Sequence, residues 1–302
     1  MLANLQRFIT LSLIAIAFAW LFYWRASAPF IAIAGFLLIA LGYTAFLALE
    51  FVLLRFINKS DPAPQPTWPE LLSAWVGEVL TAPRVFCWRQ PFRTYAVPDN
   101  LIASNTARGQ PGVVFVHGFF CNRGLWTPWL QRLQANGQVF SAVSLEPVFG
   151  SIDDYAPQID AAIRQVADVT GMPPLLVCHS MGGLAARAWL KAYRGEKRVR
   201  HVVTIGTPHR GTWLARFSQS HNGRQMRLSS DWQIQLDHEM PVDRHALFTC
   251  WYSNTDNIVF PASTATLPGA HNRLVRGAAH VQMAFLPEVM NETLKLLDKQ
   301  TI

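Results

Sequence analysis

LLVCHSMGG, residues 175–183, decides the fold of this 302-residue chain. The apolar run 175–178 predicts a buried strand, and the small residues after Ser180 predict the opening of a helix. A serine between strand and helix lies on a tight turn that lifts its hydroxyl clear of the sheet, with the helix N-terminus facing developing negative charge. The alternative is that Ser180 only caps the helix beginning at Met181.

On both sides of this turn, short apolar runs alternate with helical patterns. The predicted strands are residues 113–116, 139–145, 175–178, 199–205, 247–252 and 272–275, and the predicted helices are 125–134, 152–169, 181–193 and 281–297. This alternation indicates an α/β fold with a mostly parallel sheet and helices on both faces. The polar segment 212–245 breaks the alternation, and we expect it to form an inserted cap.

The front of the chain has the composition of a membrane anchor. Residues 8–24 and 26–49 are uncharged runs long enough to cross about 30 Å of hydrocarbon, which predicts a transmembrane hairpin over residues 1–57. A signal peptide cleaved after Ala28, or a soluble core helix, are the alternatives. The aromatic residues at 20–24 suit an interfacial belt better than a cleavage region.

Basic residues beside the two runs predict an orientation. Arg7, Arg55 and Lys59 flank the termini of the hairpin, whereas its loop has only Arg25, which favours a cytoplasmic location for the rest of the chain. We interpret the proline-rich residues 58–69 as a linker and 70–302 as one domain. The apolar stripe that starts that domain, within residues 71–80, predicts core packing, with a membrane-surface helix as the alternative. Residues 84–95 mix arginine with aromatic residues, which fits either an interface patch or a first hairpin.

Composition also excludes some functions. The net charge is +7, but the basic residues after position 61 are dispersed, which argues against nucleic-acid binding and favours anionic lipid headgroups as the partner. Four cysteines without a C-x-x-C pair indicate neither a zinc site nor a dense disulfide framework. We expect no metal and no cofactor, and protein partners stay unknown.

Another short motif follows the first predicted strand: His117, Gly118 and Phe119. With CHSMGG at residues 178–183, this pair of motifs resembles the α/β-hydrolase family, and specifically the bacterial lipases and esterases with a G-H-S-M-G-G turn. Cys178 stands where that family has glycine. TIGTPHRGT, residues 204–212, resembles the T-P-H-x-G segment of the same lipases, where we expect a structural role. The resemblance extends over residues 111–297 and carries neither calcium nor a disulfide with it.

The resemblance implies a catalytic triad in the chain order serine, acid, histidine. Ser180 is the expected nucleophile, Asp256 the acid and His280 the base, because the last two follow predicted strands. The backbone N–H groups of Phe119 and Met181 would form the oxyanion hole, with His117 and Gly118 supporting that loop. The competing candidates are Asp231, Asp237 and Asp243 for the acid and His271 for the base.

The function that the resemblance implies is hydrolysis of a carboxylic ester through an acyl-enzyme. A lipid-like ester is the expected substrate, since the site would lie beside a bilayer under an apolar cap, and a bacterial inner membrane is the expected location. Two alternatives stay open. An acyltransferase or thioesterase would use the same triad, and a non-catalytic membrane protein would keep only the fold.

Overall fold

The computed structural model describes residues 1–102 and 108–298, so residues 103–107 and 299–302 of the predicted domain 70–302 lie outside the described part. A six-stranded sheet forms its centre, in the order β2-β1-β3-β4-β5-β6, and every neighbouring pair is parallel. The strands are β1 Val113–Val116, β2 Phe140–Ala142, β3 Leu175–His179, β4 His201–Ile205, β5 Phe248–Ser253 and β6 His271–Val275. The predicted parallel sheet is confirmed.

Helices cover both faces of the sheet, as expected. On one face lie α6, Ala156–Thr170, and α7, Met181–Tyr193; on the other lie α5, Thr127–Ala135, and α11, Pro287–Asp298. The central strands β1 and β3 are buried on both sides, which explains why they are continuous apolar runs rather than alternating ones.

The last predicted helix, 281–297, is wrong in one respect because the structure breaks it in two. A short helix α10, His280–Met283, is followed by α11, which begins at Pro287. Proline has no backbone N–H and fits the first position of a helix, so Pro287 starts a new helix instead of continuing the old one.

The segment 212–245 is an insertion of short helices between β4 and β5. Its elements are a 3₁₀ turn Trp213–Phe217, α8 His221–Gln225, α9 Asp231–Glu239 and a 3₁₀ turn Val242–Leu247. Asp237 of α9 forms an ion pair of 2.5 Å with Arg187 of α7, whose side chain is fully buried. This ion pair therefore links the insertion to α7.

Two long apolar helices precede the sheet: α1, Leu2–Trp24, and α2, Pro29–Ile57. Both have the length and composition of a membrane span, and most of each is exposed on the protein. They pack against each other, with the rings of Phe18 and Phe36 5.4 Å apart. Gly35 makes room for Trp20, whose indole N–H donates to the carbonyl of Ile31 at 3.0 Å. The helices thus form a hairpin.

The proline-rich residues 58–69 lie against the domain that follows. The backbone N–H of Ala262 donates to Asn58 at 3.2 Å, and the hydroxyl of Ser263 donates to Asp61 at 2.6 Å. Arg55 donates to the carbonyl of Pro66 at 2.9 Å and stacks on Trp68. The segment is a docked connection between the hairpin and the sheet domain.

Helix α3, Trp68–Pro83, runs antiparallel to α2 and differs from its predicted core role. Tyr43 donates to the carbonyl of Val79 at 3.0 Å, and the Trp75 indole donates to the carbonyl of Thr44 at 2.9 Å. Its buried face consists of Leu71, Ala74 and Glu78, whereas the following apolar side chains are exposed: Leu72, Val76 and Leu80. The apolar residues extend around α3 beyond the face that the core covers.

Residues 84–95 form no hairpin. They continue α3 as a π-helical turn, Arg84–Arg89, and a short helix α4, Gln90–Phe92. Helix α4 packs on α1, where Arg7 donates to the carbonyl of Pro91 at 2.9 Å.

Candidate active site

Parallel strands send the segments after β1, β3, β4, β5 and β6 to one edge of the sheet. In such sheets the crevice beyond the carboxyl ends, where the strand order reverses, is the usual ligand site. Here the reversal lies between β1 and β3, and their next residues are His117 and Ser180. The topology therefore places the segments that contain the predicted site residues at the same edge of the sheet.

Ser180 occupies the turn between β3 and α7 with φ 54° and ψ −130°. This is a strained conformation for a residue with a side chain, and such strain is typical of a functional turn. The first residues of α7 lie close to the segments after β1 and β4, so only glycine fits there. A Cβ at Gly182 would lie 2.4 Å from the carbonyl oxygen of Val116, and one at Gly183 would lie 2.2 Å from the hydroxyl of Thr207.

Cys178, at the family's glycine position, is fully buried within β3. Its strand neighbours in register are Val116 and Thr204. Burial holds the pKa of its thiol well above the ordinary value, so this sulfur stays protonated and is a poor nucleophile.

Asp256 and His280 form a direct pair. Nδ1 of His280 lies 2.9 Å from Oδ2 of Asp256, and both side chains are buried. The other oxygen of Asp256 accepts the backbone N–H groups of Ile258 and Val259, at 3.0 and 2.8 Å. These bonds fix the carboxylate, which in turn leaves Nε2 of His280 as the nitrogen that can accept a proton.

The charge balance at His280 favours its protonated form. Burial lowers the pKa of His280, but the carboxylates of Asp256, Glu78 and Glu50 together raise it more, and the net pKa is above the ordinary value. An imidazolium formed during a reaction is thus stabilised by its partner.

The segment after β4 joins Ser180 to this pair. The N–H of Ser180 donates to Ile205 at 2.9 Å, and the Thr207 hydroxyl donates to the carbonyl of Ser180 at 2.8 Å. Between them, a Cβ at Gly206 would lie 2.9 Å from Oδ2 of Asp256 and 3.0 Å from Nδ1 of His280. The ring of His179, next to Ser180, lies 4.6 Å from that of His280. Ser180, Asp256 and His280 therefore all neighbour the short segment 205–207 at the end of β4.

The loop after β1 also contacts the serine. A Cβ at Gly118 would lie 2.6 Å from Cβ and 3.2 Å from Oγ of Ser180. Nε2 of His117 accepts the N–H of Leu145 at 2.9 Å, so its Nδ1 carries the proton and donates to the carbonyl of Gly118 at 2.9 Å. Burial lowers the pKa of His117 to about 4, which keeps it neutral. Phe119 follows, with its ring 5.8 Å from that of Phe149.

The competing residues lie elsewhere. Asp231 begins α9, Asp237 binds Arg187, and Asp243 lies in the 3₁₀ turn after α9. His271 begins β6 at the opposite end from His280 and is exposed. His209 is buried, with Nε2 3.0 Å from the hydroxyl of Thr204.

Sequence reasoning missed the residues that hold His280. Asn257 accepts the N–H of His280 at 3.1 Å, and Glu78 of α3 accepts the N–H groups of Val281 and Gln282. A lone glutamate in an apolar stripe was the available signal for Glu78. In residues 1–102 and 108–298, no group of three or more His, Cys, Asp or Glu is arranged to hold a metal ion.

Comparisons with known proteins identify the family to which this fold belongs. A family model described as "Alpha/beta hydrolase family" matches residues 113–289. A triacylglycerol lipase of Burkholderia plantarii is 33% identical over 136 residues, which cover 41% of this chain and 37% of that lipase. The match therefore spans less than two fifths of the relative.

Two solved structures share the fold. Mature lipase BlEst2 of Bacillus licheniformis is similar with a TM-score of 0.55 and 19% identity, covering 64% of this chain and 93% of that one. Lipase B of Aspergillus fumigatus has a TM-score of 0.55 and 17% identity, covering 64% of this chain and 54% of that one.

Proposed function

Because this chain belongs to the alpha/beta hydrolase family, we propose that it is a membrane-anchored serine hydrolase that cleaves carboxylic esters. One observation supports this most directly. The buried His280–Asp256 pair, with 2.9 Å between Nδ1 and Oδ2, stands across Gly206 from a serine held on a strained turn. A nucleophile, a base and an orienting acid are the groups that acyl transfer through serine needs.

In the proposed reaction, Ser180 attacks the ester carbonyl while Nε2 of His280 accepts the hydroxyl proton. Asp256 stabilises the resulting imidazolium. The backbone N–H groups of Met181 and Phe119 stabilise the oxyanion. His117 and Gly118 hold the loop after β1, which contains Phe119, against the serine. The alcohol leaves with the proton from His280, and a water molecule activated by the same histidine then releases the acid from Ser180.

We propose a lipid-like ester as the substrate. The similar proteins named as lipases support this choice, as does the apolar hairpin that adjoins the site. The hairpin, residues 1–57, would anchor the domain 70–302 through the docked segment 58–69, with the insertion 212–245 as its cap. The basic residues flanking the hairpin favour the cytoplasmic face of a bacterial inner membrane.

The decisive experiment is labelling of the full chain with a fluorophosphonate probe, followed by ester hydrolysis over a series of acyl-chain lengths. Wild type should be labelled and Ser180→Ala should not. Ser229→Ala is a matched control, because Ser229 also has a positive φ, 53°, but is exposed and far along the chain in the insertion. Undiminished labelling of Ser180→Ala would disprove the proposal, and products formed only with an added alcohol would identify an acyltransferase.

A further inference from the structure

The base His280 is held from outside the family's matched region, 113–289. Glu78 of α3 uses both oxygens. Oε1 accepts the N–H of Val281 at 3.1 Å, and Oε2 accepts the N–H of Gln282 at 3.0 Å. These are the two residues after His280, so a single buried carboxylate fixes the first turn of α10.

A second carboxylate reaches the same histidine from the hairpin. Oε2 of Glu50, in α2, accepts the side-chain N–H of Asn257 at 2.6 Å, and the amide oxygen of Asn257 accepts the backbone N–H of His280 at 3.1 Å. Glu50 is 5% exposed and Asn257 is fully buried. A continuous chain of hydrogen bonds therefore runs from an apolar helix to the base.

The surrounding packing is tight enough to transmit a displacement. A Cβ at Gly77 would lie 2.3 Å from the side-chain amide of Gln282, so α3 touches α10 directly. An apolar cluster encloses both contacts: Phe51, Leu54, Leu71, Ala74, Phe260 and Ala279. Any shift of α2 or α3 must move the residues beside His280.

These carboxylates also act on the charge of the base. The groups facing His280 are Asp256 after β5, Glu78 of α3, Glu50 of α2 and His179 of β3. Burial lowers the pKa of His280, and Asp256, then Glu78, then Glu50 raise it. The pKa of Glu78 itself is raised to about 7 by its burial, against its hydrogen bonds to Gln282 and Val281.

We propose that Glu50 and Glu78 are positioning residues for His280, and that through Glu50 the apolar hairpin forms part of the active site. This inference rests on the proposed function, in which His280 is the base. An anchor that served only to hold the domain at a membrane would not need a buried carboxylate hydrogen-bonded to Asn257, which accepts the backbone N–H of the base.

The test measures hydrolysis of a short, water-soluble p-nitrophenyl ester by the full chain in detergent micelles. Misplacement of a catalytic group by about 1 Å costs about 100-fold, so Glu50→Ala and Glu78→Ala should lower kcat by about 10- to 100-fold, with KM little changed. Glu288→Ala, an exposed position on α11, is the control and should behave as wild type.

Glu50→Gln separates positioning from charge. Its amide oxygen can still accept from Asn257, so kcat at its plateau should return to near the wild-type value. The loss of one negative charge should lower the pKa of His280 and move the acid limb of the pH profile to lower pH. A carboxylate that only stabilised the fold would change the melting temperature and leave this limb in place.

The outcomes are separable. Folded alanine variants with wild-type kcat and pH profile would overturn the inference, as would an unmoved acid limb in Glu50→Gln if the alanine variants fail to fold. Wild type without Ser180-dependent labelling would instead defeat the proposed function. Wild-type labelling together with unaffected glutamate variants would defeat the positioning role alone.

Discussion

The side-chain amide of Gln6 donates a hydrogen bond to the backbone carbonyl of Phe120, across 3.2 Å. Gln6 is 3% exposed within the otherwise apolar α1, and Phe120 lies in the loop after β1 with φ 54°. The same amide lies 3.4 Å from the oxygen of Gln90, which accepts the N–H of Asn122. The first helix of the hairpin thus contacts the loop that we assign to the oxyanion hole.

Gln6→Leu should loosen this loop, because it removes the donor to a part-buried carbonyl, at a cost of at most about 1–3 kcal/mol. We expect a lower melting temperature and a lower kcat on a soluble ester. Gln134→Leu, on the exposed side of α5, is the control. Equal melting temperatures and rates in the two variants would contradict the role of Gln6.

The pH profile should reflect the raised pKa of His280. The base works only when neutral, so kcat/KM should fall as pH decreases through that pKa, with a midpoint above about 6.5. Asp256→Asn removes the charge that raises the pKa, and it should move the midpoint to lower pH and reduce kcat. The control is Asp243→Asn, at an exposed position. A midpoint that stays in place in Asp256→Asn would count against the pair.

Gly206→Ala should abolish most activity. The new Cβ would lie 2.9 Å from Asp256 and 3.0 Å from His280, and the backbone has φ 57°. Gly137→Ala shares the positive φ, 68°, but meets no atom within 4 Å, so it should cost only the backbone term, about 1–2 kcal/mol. Rates and melting temperatures of both variants separate crowding from backbone strain. If Gly206→Ala retains the rate of Gly137→Ala, the assignment of Asp256 and His280 to the active site would be wrong.

Asp237→Asn should weaken the attachment of the insertion to α7, which also has an ion pair between Lys191 and Glu239. The side chain of Arg187 is fully buried, whereas that of Asp237 is about half-exposed. We therefore expect the free energy of unfolding to fall by about 1.5–3 kcal/mol. Thermal unfolding compares it with Asp231→Asn, an exposed position at the start of the same helix. Identical stabilities would mean that the insertion is held by other contacts.

The hairpin should remain with the membrane and remain uncleaved. After an alkaline carbonate wash the full chain should stay in the pellet, and mass spectrometry should find an N-terminal peptide that begins before residue 20. A soluble product beginning after Ala28 would support the signal-peptide alternative instead. A reporter fused after residue 302 that is active only outside the cytoplasm would reverse the proposed orientation.

The sheet was predictable because its signals are local. The apolar runs of β1 and β3 and the small residues around Ser180 fix a strand–turn–helix unit, and chain order then selects Asp256 and His280. The boundaries were less certain: β2 is Phe140–Ala142, shorter than the run 139–145. Strand ends depend on pairing with neighbours, which a single run does not reveal.

Contacts between distant segments were beyond sequence reasoning. Glu50 and Gln6 look like isolated polar residues in apolar runs, and only the folded chain pairs them with Asn257 and Phe120. For the same reason the sequence left open whether the stripe of α3 packs in the core or lies at a membrane surface, since a stripe does not reveal how much of it the core will cover.

The antiparallel contact of α3 with α2 limits how far the hairpin can stand away from the rest of the molecule. The 14 residues from Pro29 to Gly42 precede the first contact, at Tyr43, and at about 1.5 Å per residue they rise about 21 Å. The hydrocarbon layer is about 30 Å thick. A bilayer that enclosed the hairpin would therefore extend past Tyr43, and its acyl chains would contact Val76 and Leu80. The sheet domain would then be partly inserted into one leaflet instead of being held above the membrane surface.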